Sequence, residues 1–421
     1  MIIVVICIWR IRLMNFEETK TMLENKGQTQ LLKFYDELDQ TQKEELLARI
    51  GKIDFSLLEI LDNPSMKQKR GDIKPLSALK LSEIDKNRDS YEKTGIEAIK
   101  AGKVGAILLA GGQGTRLGYD KPKGTYNLGV TKELYIFECL INNLMDVVKK
   151  ADAWVPIAIM TSDINHDDTV SFFKEHDYFG YNSDYVYFFV QDMAPATDYN
   201  GKIYLEEKYK PAMSPNGNGG WFTSFAGAGL LDEFNKLGVE WMNVFAVDNV
   251  LQRIADPSFV GATIQSECVC GAKVVSKAAP DEKVGLLCTE DGRPSIVEYY
   301  EMTDEMMYSK DENGDLLYNY GVILNYLFSV KELIRIMEDK LPIHVVEKKI
   351  PYIGDDGVKN KPEKPNGYKF ELLVLDLIHL MKDCLSYEVC REKEFAPVKN
   401  LTGIDSVESA RELLVKNKVE I

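Results

Sequence analysis

The chain is poor in the residues that most often do nucleophilic or metal chemistry. Its four histidines, His166, His176, His344 and His379, form no HExxH-type pair, so a histidine-based zinc centre has no framework. Its seven cysteines are sparse, odd in number and mostly set in apolar runs. That excludes a disulfide scaffold and fits a reducing, cytoplasmic setting. Cys268-Val-Cys270 has no second cysteine pair at zinc-site distance, and the two thiols read as strand residues. A G-x-S-x-G nucleophile elbow is absent, as is the Gly-Lys-Ser/Thr of a P-loop.

Long apolar runs and net positive charge are also missing. Met1 to Trp9 are all apolar, but Arg10 and Arg12 stop the run well short of the roughly 20 residues a membrane helix needs. The basic residues follow the apolar ones and no small-residue cleavage site appears, so a signal peptide has little support. Two readings of this segment stand: a misassigned start with Met14 as the true one, or an apolar arm packed on the body. With 51 Lys and Arg against 66 Asp and Glu, the net charge is −15. This disfavours nucleic acid and anionic membrane surfaces as partners, though not a small anion at one local site.

What remains is an ordinary globular composition over 421 residues, enough for two or three domains. Residues from about Phe16 to Lys100 carry a helical pattern, with a capping-box signature at Thr41-Gln42-Lys43-Glu44. Strand-like runs then recur at Val104–Ala110, Val155–Met160, Val186–Val190, Asn243–Val247 and Lys273–Ser276. Helical stretches, Glu133–Lys149, Asp168–His176 and Phe222–Lys236, separate the first four. Such alternation implies an α/β fold with a mostly parallel central sheet covered by helices. Closer-spaced strands between Val284 and Phe328 read as an antiparallel addition. A loop from Pro351 to Gly367, a helix from Tyr368 to Asp383 and a helix near Ser406–Lys416 complete the chain. The expected domains are 1–100 (helical preface), 101–345 (core) and 346–421 (a small C-terminal region).

Four segments carry possible chemistry. The apolar run Val104–Ala110 leads into Gly111-Gly-Gln-Gly-Thr-Arg-Leu-Gly118, and a glycine-rich loop after a buried strand brings backbone N–H groups close to a polyphosphate. Its G-x-G-x-x-x-G spacing is one residue longer than the dinucleotide fingerprint. Arg116, Lys121, Lys123 and Lys132 against Asp120 give a local excess of +3 in a chain of −15, so phosphate is the natural partner; a plain strand-to-helix turn with solvated lysines fits the same residues. Asp248 ends the strand Asn243–Val247, where hard carboxylate oxygens suit Mg²⁺ bridged to phosphates; Asp248 or Asn249 would equally serve as a helix cap. Pro215-Asn-Gly-Asn-Gly-Gly220 would let a planar base or a sugar approach the backbone, or be a simple loop. Gln191, just after the strand Val186–Val190, offers a base-pairing edge or a strand terminator, and Lys369 a phosphate-neutralising ammonium or a solvated charge.

These residues resemble the eukaryotic-type UDP-sugar pyrophosphorylases, and the N-acetylhexosamine branch more than the glucose branch. Leu109-Ala-Gly-Gly-Gln-Gly-Thr-Arg-Leu-Gly118 with Pro122-Lys-Gly124 carries the resemblance, which continues through Met160-Thr-Ser162, Gly201-Lys-Ile203, Pro215–Gly220, Val247-Asp-Asn-Val250, Cys270-Gly-Ala-Lys-Val-Val275, Val297-Glu-Tyr299, Lys364-Pro-Asn-Gly367 and Tyr387-Glu-Val389. The resemblance implies a Rossmann-like nucleotidyltransferase core and a reaction of UTP with a sugar 1-phosphate to give a UDP-sugar and pyrophosphate. Carried over by position, Leu109, Ala110, Gly111, Gly112, Gly114 and Thr115 would hold UTP, with Arg116, Lys123 and Lys369 on its phosphates. Gln191 and Gly217 would read uracil, Asn218, Gly285, Glu298 and Asn319 would contact the sugar, and Asp248 would coordinate Mg²⁺.

Two departures qualify the match. Where the family reads Phe-Asn-Ala-Gly-Asn, this chain has Tyr318-Asn-Tyr-Gly-Val322, which adds bulk at Tyr320 and removes an amide at Val322 beside the expected sugar pocket. The chain also stops about 20 residues after Asn400, short of the family's C-terminal domain, so no oligomer interface is carried over. The expectation is a uridylyltransferase for N-acetylglucosamine 1-phosphate or its galacto epimer. The same chemistry on glucose or galactose 1-phosphate is the rival, and a non-catalytic nucleotide-sugar binding protein is the alternative from a different class.

Overall fold

A computed structural model describes residues 14–62, 70–337, 339 and 341–421; the apolar segment Met1–Trp9 lies outside them. None of the described helices is long and apolar enough to cross a membrane. The chain divides into two compact units, each assembled from three separate stretches. This grouping differs from the chain-order division at residues 100 and 345, because contacts rather than sequence proximity decide what packs together.

Of the described residues, the first unit comprises 14–62, 192–220 and 341–373. Its helices Phe16–Asn25 and Gln40–Ile50 bury Leu23, Leu46 and Ile50 with Leu31 and Ile203. The second helix has a capping box, but at Asp39 and Gln42 rather than at Thr41 and Glu44. Asp39 precedes the first helical residue in extended geometry, where its carboxylate accepts the Gln42 N–H at 2.9 Å; a carboxylate is a stronger cap than Thr41 inside the first turn. The expected helix from Tyr368 begins as a strand, Gly367–Glu371, paired antiparallel with His344–Lys348. Pairing decides this outcome: the strand lies between His344–Lys348 and Thr197–Asp198, with Phe370 buried. Gly367 lies so close to Thr197 O that any side chain would collide.

Of the described residues, the second unit comprises 70–191, 221–337, 339 and 374–421 and holds a ten-stranded sheet. Trp241–Ala246, Val104–Leu109, Ile157–Thr161 and Val186–Val190 lie side by side in parallel register. All six residues of Val104–Leu109 are buried, as a strand covered on both faces requires. Tyr320–Ser329 pairs antiparallel with Trp241–Ala246 and with Cys270–Ser276, while Leu286–Glu290 and Arg293–Val297 form the antiparallel addition expected from their spacing. Helix Ile136–Ala151 turns Ile136, Phe137, Leu140, Ile141, Leu144, Val147 and Val148 into the core, a stripe of helical period. Helices Leu81–Lys100 and Pro257–Gln265 pack backbone to backbone, since side chains at Gly95 and Gly261 would strike Pro257 O and Tyr91 O. The stretch expected as one helix, Phe222–Lys236, is two, Trp221–Gly227 and Leu230–Lys236, parted at Gly229 with φ of +78°. The later helix covers Val374–Leu380, and the last one, Val407–Lys416, is capped by Ser406.

Candidate functional site

In the second unit, the carboxyl ends of all four parallel strands deliver polar or glycine residues to one edge of the sheet, where open α/β sheets bind ligands. Val104–Leu109 feeds the glycine loop, Trp241–Ala246 leads to Asp248, Ile157–Thr161 to Ser162 and Asn165, and Val186–Val190 to Gln191. Gln191 is 6% exposed, and its N–H donates to Thr161 O at 2.9 Å. Its amide lies against Gly111: a methyl group there would fall 3.0 Å from Gln191 Cδ and nearer still to Nε2. Glycine at 111 is therefore a consequence of close packing with Gln191.

Leu109 and Ala110 are buried, and the Ala110 N–H closes the strand pairing on Met160 O at 2.8 Å. The chain then makes one 3-10 turn, Thr115–Leu117, with the Leu117 N–H on Gly114 O at 2.7 Å and Gly118 at φ of +63°. It folds back on itself through Gly114 N–H to Lys121 O (3.0 Å) and Lys123 N–H to Gly112 O (3.2 Å). No α-helix follows until Ile136, so this is not a strand-to-helix turn. Among the described residues the N–H groups of Gly111, Gly112 and Gln113 donate to nothing, and Gln113 Oε1 is buried without a partner. An array of unpaired N–H groups on a tight loop is suited to an anion.

The fold-back sets the half-buried Lys123 among charges. Burial is the main influence, pushing its pKa below the ordinary 10.5; the Asp248 carboxylate opposes this, while Arg116 and Lys399 reinforce it. Lys399 was not singled out by sequence reasoning, because it lies 276 positions after Lys123 (399 − 123). Asp248 and Asn249 cap no helix; Asp256 caps the next one. Instead Asp248 O accepts the Val398 N–H at 2.8 Å, and Asn249 bonds Glu394 O at 2.7 Å and the Ala396 N–H at 2.9 Å. That segment is anchored from within by Lys273, 0% exposed, whose ammonium lies 2.6 Å from Glu394 and 3.1 Å from Asp256.

Gly285 and Glu298 come together at the antiparallel side of the sheet. A methyl at Gly285 would sit 3.1 Å from Ile296 and 3.5 Å from both Glu298 Oε1 and Val322 Cγ2. The Val322 N–H also donates to Gly285 O at 2.8 Å. Asn319 is engaged elsewhere: its carbonyl and its side-chain oxygen take the Lys277 N–H at 2.9 and 3.2 Å. There it lines a cavity of about 530 Å³ with Lys277, Lys310 and Tyr320. Val322 is thus the residue of this strand that faces Gly285 and Glu298.

Gly217, Asn218 and Lys369 belong to the first unit. Gly217, at φ of +88°, packs its Cα against Leu372, whose carbonyl accepts the Gly219 N–H at 2.8 Å. Leu372 directly follows the strand bearing Lys369, so the glycine-rich turn and this lysine share one anchor. Burial lowers the Lys369 pKa most; Glu371 raises it and Lys348 lowers it further.

Among the described residues no group of three or more His, Cys, Asp or Glu could hold a metal alone. The lone carboxylate of Asp248 fits a Mg²⁺ ion that takes most of its oxygens from substrate phosphates and water; it does not fit a resident zinc or calcium cage.

The family described as UTP–glucose-1-phosphate uridylyltransferase matches residues 59–419. A mouse protein named UDP-N-acetylhexosamine pyrophosphorylase-like protein 1 is 37% identical over 408 residues, 91% of this chain and 80% of its own length. The UDP-N-acetylglucosamine pyrophosphorylase of Saccharomyces cerevisiae is 34% identical, over 94% of this chain and 88% of its own. Among solved structures, the uridine diphosphate N-acetylglucosamine pyrophosphorylase of Trypanosoma brucei superposes with a TM-score of 0.81 at 27% identity, covering 94% of this chain and 83% of that one.

Proposed function

Because the chain belongs to the UTP–glucose-1-phosphate uridylyltransferase family, we propose that it transfers the uridylyl group of UTP to N-acetylglucosamine 1-phosphate, or its galacto epimer, releasing pyrophosphate. The names of its relatives favour an N-acetylhexosamine over glucose as the sugar. One observation carries the reading of the site: the loop whose Gly111, Gly112 and Gln113 N–H groups donate to nothing among the described residues stands beside a half-buried lysine influenced by Asp248, Arg116 and Lys399.

The chemistry needs no protein nucleophile. An oxygen of the sugar phosphate attacks the α-phosphorus in line, and the P–O bond to pyrophosphate breaks on the opposite side. The protein must align two mutually repelling anions and neutralise the charge that develops on the leaving pyrophosphate. Arg116 and Lys123 serve that charge, with Lys399 behind them, and the Gly111–Gln113 N–H groups hold phosphate oxygens. Gln191, packed on Gly111, reads the uracil edge. Asp248 would hold Mg²⁺, which when bound supplies two further positive charges. Gly285 and Glu298 contact the sugar.

The test is purified protein with UTP, Mg²⁺ and a panel of sugar 1-phosphates, following pyrophosphate. Release that is fastest with an N-acetylhexosamine 1-phosphate is expected. Faster release with glucose 1-phosphate overturns the sugar assignment, and no release with any sugar overturns the reaction.

A further inference from the structure

Asn165 has no place in the mechanism above, yet it is 0% exposed and its side chain takes part in four hydrogen bonds. Its Oδ1 accepts from the Ser162 N–H at 2.7 Å and the Ser162 hydroxyl at 3.1 Å, and the Asn165 N–H returns to Ser162 O at 3.0 Å. This small ring fixes the turn after the strand Ile157–Thr161. Its Nδ2 donates across 55 residues to Ala110 O at 3.0 Å and, at a longer 3.4 Å, to Gly112 O. The amide orientation follows from its partners, with donors on the oxygen side and carbonyls on the nitrogen side.

The consequence lies in the planarity of the peptide group. In a trans peptide the C=O and the following N–H point in opposite directions. Turning the Ala110 and Gly112 carbonyls toward Asn165 therefore turns the N–H groups of Gly111 and Gln113 away from it. Neither of these N–H groups donates to anything among the described residues. The Gly112 carbonyl also takes the Lys123 N–H at 3.2 Å, so one peptide group couples the side chain of Asn165 to the backbone of the lysine.

We infer that Asn165 is a positioning residue for the nucleotide loop: its amide holds two carbonyls inward so that the Gly111 and Gln113 N–H groups face the phosphates of UTP. The inference rests on the assignment of this loop to UTP. Aspartate is the informative replacement, because it keeps the Oδ1 bonds to Ser162 and loses only the donors. An ionised carboxylate would oppose two carbonyl oxygens in a buried site, which raises its pKa. On protonation it regains one donor.

The experiment measures UTP binding by titration calorimetry, and steady-state kinetics, for the unsubstituted protein, Asn165→Asp, Asn165→Ala and Lys123→Ala. Thermal unfolding and circular dichroism establish that each variant is folded. Asn165→Asp is expected to weaken UTP about tenfold or more near neutral pH while the KM for the sugar 1-phosphate changes less than twofold. Relative to the unsubstituted protein at the same pH, the defect of Asn165→Asp should shrink as pH falls, and that of Asn165→Ala should stay constant. A general folding defect would move both KM values and show no such recovery. If Lys123→Ala weakens UTP but both Asn165 variants bind it normally, the positioning role is overturned and the loop assignment stands. If Lys123→Ala also binds UTP normally, the loop assignment falls and this inference with it. Should Asn165→Asp not fold, the Asn165→Ala titration alone decides between tenfold weakening and none.

Discussion

Replacing Gly111 by alanine isolates the contact on which the base-reading assignment depends. Gly111 is not among the residues with positive φ, so its backbone tolerates alanine and only the new methyl group matters. That methyl would sit 3.0 Å from Gln191 Cδ and closer to Nε2, inside normal van der Waals separation. Gln191 cannot swing to solvent, being 6% exposed with its backbone fixed on Thr161. Either its amide retreats by about an ångström, a misplacement that costs on the order of 100-fold in well-aligned sites, or the loop shifts. Overpacking of this kind costs about 1–3 kcal/mol of stability; where it is relieved by displacing the amide from the uracil edge, lost transition-state binding of that size is about 5- to 150-fold in kcat/KM for UTP. Initial rates of pyrophosphate release at varied UTP measure it. The double substitution Gly111→Ala with Gln191→Ala provides the control: with the amide gone, the methyl should add little to the loss from Gln191→Ala alone, a non-additivity diagnostic of contact. A Gly111→Ala enzyme within twofold of the original, or full additivity in the cycle, would refute the packing argument.

Other expectations rest on separate features. Lys123→Ala should lower kcat/KM by about 100- to 1,000-fold, the usual effect of removing one preorganised group that stabilises transition-state charge; a loss below fivefold contradicts its role. Since burial lowers the Lys123 pKa, kcat/KM should fall on the alkaline side below the ordinary lysine value of 10.5 as the ammonium loses its proton, and Lys123→Arg should move that limb upward because guanidinium stays charged. Lys273→Met leaves Asp256 and Glu394 buried without their cation, so denaturant unfolding should show a loss of about 3–5 kcal/mol; an unchanged midpoint would mean the pair is solvated or neutral. Val322→Asn returns an amide beside Gly285 and Glu298 and should lower the KM for N-acetylglucosamine 1-phosphate up to about tenfold, the worth of one hydrogen bond, without moving that for UTP. If neither KM moves, Val322 does not face the sugar.

Local pattern made much of the fold legible. A run such as Val104–Leu109 with no polar residue must be a strand covered on both sides, and the glycines after it can only be a turn. The α/β alternation and the antiparallel strands near Leu286 followed from spacing alone. Tyr368 to Glu371 were misread as helix because the pairing that makes them a strand comes from His344–Lys348 and Thr197–Asp198, about 20 and 170 residues away. Asp39 displaced Thr41 as a cap for a subtler reason: both are good capping residues, and only the point where the chain enters the helix selects one. At the site, the glycine loop, Asp248 and Gln191 were readable as strand-end neighbours because a parallel sheet sends its carboxyl ends to one edge. Asn165, Lys399 and the facing of Val322 were not, because each acts on a group far along the chain, and nothing in its own neighbours distinguishes it from a turn residue, a surface charge or a strand filler.

The central claim is that uridylyl passes directly from UTP to the sugar phosphate, with the protein supplying alignment and positive charge and no covalent nucleophile. The configuration at the α-phosphorus measures this directly, using UTP carrying a single sulfur of known stereochemistry at that phosphorus and N-acetylglucosamine 1-phosphate as acceptor. One in-line displacement predicts inversion in the UDP-sugar product. Retention would reveal two displacements through a uridylyl-protein intermediate and contradict the account.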